Sequence, residues 1–145
     1  MRKVNRFSGD FDFLSNFFQA DVQIDGILYP SSEAAFQAQK CVRNDDKIRF
    51  TQYTPNQAKH FGRKIYIRPD WEDIKVDVMT RVVRAKFTQH EILSNLLYRT
   101  GNAKLIDGNA KNDTFWGVCN GIGKNHLGKI LMQIRNELKE ERKNA

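Results

Sequence analysis

Hydrophobic residues alternate over 22–29 and then settle into helical spacing for most of the chain, which predicts a small sheet element inside a largely helical protein. The alternation breaks at Asp25-Gly26, a pair suited to a two-residue turn, so 22–29 reads as a β-hairpin. After Pro30, Ser31 and Ser32 can cap a helix that the alanines and glutamines of 34–39 carry to about Cys41. A second helix is expected near 45–51. A third starts after Thr54-Pro55, a capping residue with proline in the first helical position, and ends at Gly62. Over 70–87, Val76, Met79, Val83 and Phe87 recur at helical spacing and leave Arg81, Arg84 and Lys86 on other faces. Ile92, Leu93, Leu96 and Leu97 mark the next helix, from His90 to about Tyr98, with a stop near Gly101. The pattern then changes: 104–106 and 114–116 are β-prone pieces around the polar loop 107–113, suited to a small sheet element. Last, Asn125 opens a helix with Leu127, Ile130, Leu131, Ile134 and Leu138 on one face. The expected class is α+β, mainly helical.

With 145 residues, 40% of them hydrophobic and 28% charged, the chain has material for one core. No linker, repeat or low-complexity run divides it, so 1–145 is expected to be a single domain. No apolar run approaches the roughly 20 residues of a bilayer span. Cys41 and Cys119 form no CxxC pair and follow no secretory-type leader, which points to the cytoplasm. The formal charge of +7 favours an anionic partner, phosphate or nucleic acid. Part of that charge sits in a tail, about 139–145, where Lys139, Arg142 and Lys143 mix with Glu140 and Glu141; a solvated helix end is expected there.

Three segments carry candidate chemistry. On the helix after Pro30, Glu33, Gln37 and Lys40 stand at i, i+4 and i+7, sharing one outward face beside an apolar stripe of Ala34, Ala38 and Cys41. A carboxylate in a first helical turn can take a proton or stabilise a developing cation; it can equally serve only to start the helix. In Asp113-Thr-Phe-Trp116-Gly117, a loop acid precedes an aromatic able to stack on a base, although a turn former and a packing tryptophan fit the same pattern. Gly121-Ile-Gly123-Lys124-Asn125 leads into the last helix, where free backbone amides and a lysine suit phosphate, or where Asn125 is simply a cap. It is not a P-loop, because Val118 and Asn125 occupy positions that need glycine and Ser or Thr. His60, His90 and His126 have no zinc-ligand spacing, and no metal or cofactor is expected.

The order of these segments is more specific than any one of them. The chain reads Phe13-Leu-Ser-Asn16-Phe17, then Tyr29-Pro-Ser-Ser-Glu33-Ala-Ala-Phe36-Gln-Ala-Gln-Lys40, then Trp71, Met79 and Arg84-Ala-Lys86-Phe87. Asp113-Thr-Phe-Trp116-Gly117 and Gly123-Lys-Asn125-His-Leu-Gly128-Lys-Ile-Leu-Met132-Gln-Ile-Arg135 follow. In this order, from about residue 7 to residue 138, the chain resembles the NADAR (YbiA-like) N-glycosidase family. The resemblance implies a compact α+β domain that cleaves N-glycosidic bonds. The expected substrate is either a phosphoribosylamino-pyrimidine intermediate of riboflavin synthesis or ADP-ribose attached to guanine in nucleic acid. It implies catalytic roles for Glu33, Lys40 and Asp113, with Lys40 able to form a Schiff base. The candidate substrate-binding set is Asn16, Phe17, Gln37, Trp71, Lys86, Asp107, Trp116, Gly117, Gly123, Lys124 and Asn125, of which the resemblance itself places Trp71 and Trp116 at motif positions. Trp71 and Trp116 would stack the base, and Lys86, Lys124 and the Asn125 amide would meet phosphate. One departure stands out: Asp107 occupies a position where the family usually has glutamate, a side chain longer by one methylene, which bears on sugar contacts. The competing reading, from composition, is a basic nucleic-acid or nucleotide-binding module without catalysis.

Overall fold

The Asp-Gly step does close a two-stranded sheet in the structure, a computed structural model that describes residues 2–145. In chain order the elements are β1 (Lys3–Val4), a 3₁₀ turn (Gly9–Leu14), β2 (Gln19–Ile24), β3 (Ile27–Ser31), α1 (Ser32–Ala38) and α2 (Asn44–Arg49). A second 3₁₀ turn (Phe50–Gln52) leads to α3 (Pro55–Phe61), α4 (Trp71–Gln89), α5 (Glu91–Arg99), β4 (Lys104–Leu105) and α6 (His126–Lys143). The fold is α+β and mainly helical. The chain packs as two compact units, one spanning Asn16–Gln89 and the other joining the segment that ends at Ser15 to His90–Ala145.

Within Asn16–Gln89, Asp25 and Gly26 both take positive φ, 51° and 83°, the geometry that lets β2 and β3 pair antiparallel. Val22, Ile24 and Tyr29 point into the core, and Gln23 and Leu28 face outward. The hairpin is tied to α4 at its turn end, by two residues of the helix. Arg81 Nη1 donates to Asp25 Oδ2 at 3.2 Å, and the Gln89 side-chain amide exchanges two bonds with the backbone of Gln23, at 2.9 and 3.0 Å. Thr54 opens α3 with a complete capping box to Gln57, as the Thr-Pro pair predicts. Helix α4 buries Met79, Val83 and Phe87 as its spacing predicts. It also buries Lys86, which the sequence places on another face; that residue lies three and four positions from Val83 and Val82, on the same buried side.

In the other unit the β-prone pieces behave differently from expectation. Lys104–Leu105 pairs in parallel with Lys3–Val4, and residues 114–116 form no strand. Their carbonyls are taken instead by the start of α6, as described below. Helix α6 buries its predicted stripe, and Arg135 joins that face, bonding Thr100 Oγ1 at 2.9 Å and the Ala103 carbonyl at 2.8 Å. The charged tail is not merely solvated. Lys139 Nζ donates to the Gly101 carbonyl at 2.7 Å, and the Arg142 guanidinium lies 3.9 Å from the Tyr98 ring centroid while bonding Asn95. Among the described residues, no helix is long and apolar enough to cross a membrane.

Candidate active site

Helix α1 positions the first group of candidates. Ser31 caps it, its hydroxyl accepting from the Ala34 amide at 3.0 Å. The carbonyl of Asn16 takes the Glu33 amide at 3.1 Å, and Asn16 Oδ1 takes the Ser32 hydroxyl at 2.9 Å. Asn16 therefore orients the helix opening; its own amide nitrogen faces Met79 Sδ at 3.4 Å. Alanines at 34, 35 and 38 leave so little side-chain bulk that neighbouring elements close over the helix on every side. All seven of its residues are buried, so Glu33 and Gln37, expected to face outward, face inward; the helix ends at Ala38, short of Cys41, and Lys40 follows it half-buried in a turn.

On that face Gln37 Nε2 donates to Glu33 Oε2 at 2.7 Å, a bond that suits the ionised carboxylate. Lys40 Nζ donates to the Gly62 carbonyl at 3.3 Å and lies 5.9 Å from the Trp71 ring centroid. Trp71, buried, packs on Phe36 with ring centroids 5.1 Å apart. Burial holds the Lys40 ammonium below the usual lysine range, only partly opposed by the Glu33 carboxylate and reinforced by the nearby Arg63. The structure thus brings together Glu33, Gln37, Lys40 and Trp71 around an amine that gives up its proton more readily than usual. Burial pushes the adjacent Cys41 thiol up to about 11, which removes it as a nucleophile near neutral pH. Lys86 sits among aromatic rings, its Nζ 5.5 Å from the Phe18 centroid and 5.1 Å from that of Phe87. Phe17 lines a cavity of about 430 Å³ with Gln19, Pro30 and residues 51–55.

The remaining candidates form a second group around the start of α6. Asp113 Oδ1 accepts from the amides of Phe115 and Trp116 at 3.2 and 3.0 Å, and Asn109 braces the same turn through the Asp113 amide and carbonyl. Phe115 packs edge-on against Trp116 and within 4.5 Å of His126, centroid to centroid, with Lys124 Nζ 5.7 Å from its ring. The amides expected to await phosphate are already bonded: Lys124, Asn125, His126 and Leu127 donate to the carbonyls of Thr114, Gly117, Phe115 and Trp116. Nor does Asn125 cap α6 through its side chain. At φ 55° it turns that side chain back, accepting from the Asp107 amide and donating to the Leu105 carbonyl, both at 2.9 Å. Gly117 and Gly123 are required by close backbone approach, because a Cβ on either would strike the carbonyl of Asp107 or of Gly117 respectively. Among the described residues, no three of His, Cys, Asp and Glu stand where they could hold a metal ion.

The profile of the NADAR domain matches residues 5–139. The chain belongs to the NADAR family. It is 39% identical over 140 residues to N-glycosidase YbiA of Escherichia coli, covering 93% of this chain and 86% of that protein. A riboflavin biosynthesis protein of Vibrio vulnificus is 41% identical over 133 residues, covering 88% of this chain and 36% of its own length. The NMR structure of E. coli YbiA superposes with a TM-score of 0.89 at 36% identity, covering 99% of this chain and 89% of that one. Two site-forming residues carry no sequence signal strong enough to single them out: Phe36, which seats Trp71, and Asn109, which braces the Asp113 turn. Asn109, two positions after Asp107 in a polar loop, has only the ordinary mark of a turn-bonding side chain.

Proposed function

We propose that this NADAR protein hydrolyses the bond between C1 of a phosphorylated ribose and a base or base-like amine, with a riboflavin-pathway ribosylamino-pyrimidine phosphate as substrate. The observation that carries the reading is the group at α1: the buried Glu33 carboxylate, the Gln37 amide that orients it, and the half-buried Lys40 amine in the turn that follows the helix. Relatives named N-glycosidase in E. coli and Nostoc punctiforme, and riboflavin biosynthesis proteins in Vibrio vulnificus and Zea mays, support the same reading.

In the proposed reaction the C1–N bond breaks with its electron pair passing to nitrogen, which gains a proton, while C1 gains the oxygen of water. Positive charge develops at C1 and the ring oxygen, where a fixed carboxylate stabilises it. Glu33 supplies that charge or moves the proton. Lys40 offers a covalent route: its free amine attacks C1 of the opened sugar, the base leaves protonated, and water hydrolyses the imine to restore the amine. Asp113 contacts sugar hydroxyls or activates water, and Trp71 and Trp116 stack the base, as the family resemblance implies. A second reading draws on the formal charge of +7, which suits a polyanion such as ADP-ribosylated guanine in nucleic acid.

Base release, followed by chromatography from each substrate offered separately, tests both. Release from the pyrimidine compound that vanishes in Glu33→Gln is the expected result. Release from the oligonucleotide alone transfers the activity to the polymer, and no release from either by folded protein overturns the glycosidase.

A further inference from the structure

Gly62 closes α3 in an ordinary right-handed conformation, φ −61° and ψ −17°. Any amino acid adopts those angles, so the backbone gives no reason for glycine at this helix end. The space around it does. The residue is buried, and a Cβ built on it would overlap Oε1 of Gln37 and stand 2.8 Å from that side chain's Cδ. Gln37 gives its Nε2 to Glu33 at 2.7 Å, and its Oε1 has no hydrogen-bond partner among the described residues. Turning the amide over would set that oxygen against the Glu33 carboxylate, so it rests instead against the bare α-carbon of Gly62, a weak acceptor interaction. The carbonyl of the same glycine takes the Lys40 ammonium at 3.3 Å.

We infer that Gly62 is a positioning residue for two proposed catalytic groups, one on α1 and one in the turn after it: its missing side chain leaves Gln37 the room to hold Glu33, and its carbonyl anchors Lys40. The geometry stands by itself; the catalytic consequence rests on the glycosidase reading.

Gly62→Ala is the test. The added methyl meets the far end of a flexible side chain, so the chain should still fold with Gln37 turned aside. We expect kcat to fall roughly ten- to a hundredfold with KM little changed, the scale of a misplaced reacting group. The Gln37 side-chain amide protons, read by NMR without substrate, should exchange faster than in the wild type. In a Gln37→Ala background the same glycine change should cost almost nothing, because the amide it displaces is gone. Wild-type kcat with unchanged amide exchange overturns the inference, and so does a loss of equal size with and without Gln37. If Gly62→Ala alone does not fold, the Gln37→Ala/Gly62→Ala pair decides: folding with the kcat of Gln37→Ala supports the inference, and failure to fold overturns it. A wild type that releases no base overturns the glycosidase reading, while amide exchange still decides whether Gly62 holds Gln37.

Discussion

Helices α1 and α6 both follow a polar lead-in and precede an apolar stripe, yet their first turns are satisfied in opposite ways. At α1, a serine hydroxyl and the Asn16 carbonyl meet the opening amides, the buried side chains of Glu33 and Gln37 are left to bond each other, and Lys40 follows in the next turn. At α6, the backbone carbonyls of 114–117 take the amides, and the Asn125 side chain is used to tie the helix start to β4. In this glycine-lysine-asparagine lead-in, the amides of 124–127 are therefore bonded to backbone carbonyls and not offered to an anion. A short alanine-rich helix, by contrast, carries Glu33 and Gln37 into the interior, and burial lowers the pKa of the lysine that follows it.

The sharpest way to break this contrast is to remove the amine. Lys40→Ala is expected to lower base release by roughly a hundred- to a thousandfold, the range of a lost acid, base or nucleophile, with the fold intact by circular dichroism. A residual rate within tenfold of wild type would reduce Lys40 to a binding role. Destroying the α6 lead-in should instead be felt as stability. Asn125→Ala removes two backbone-directed bonds and leaves alanine at φ 55°, and should cost about 2 to 4 kcal/mol in urea denaturation. The corresponding cap on α1 is worth less: Ser31→Ala should cost about 1 kcal/mol. The smallest effect is a displacement along the pH axis. Because burial lowers the Lys40 pKa, the free amine, and with it any imine trapped by borohydride, should increase with pH around a midpoint below that of an ordinary lysine. A midpoint at or above the ordinary value would contradict the buried setting of Lys40.

Periodicity suffices for the hairpin, α4, α5 and the stripe of α6, because each buries one face and exposes the other, and the Thr-Pro cap suffices for α3. It fails where that rule fails. Helix α1 has no exposed face, so its polar residues read as outward when they point in. Residues 114–116 have β-prone side chains but give their carbonyls to a helix instead of a strand. β1 is invisible in the sequence because a two-residue parallel pairing, Lys3–Val4 with Lys104–Leu105, joins segments a hundred positions apart and leaves no local pattern. The candidate acids and tryptophans are legible only through the order of their motifs. Gly62 is readable as a helix end, but its steric role depends on Gln37, 25 positions earlier in the chain.

The most direct test of the central claim, that cleavage depends on the buried carboxylate of α1, is single-turnover base release by Glu33→Gln beside its urea denaturation curve. Glutamine keeps the shape and removes the charge. The account predicts a loss of roughly a hundredfold or more in a protein that unfolds like the wild type. Undiminished release from the folded variant would contradict it.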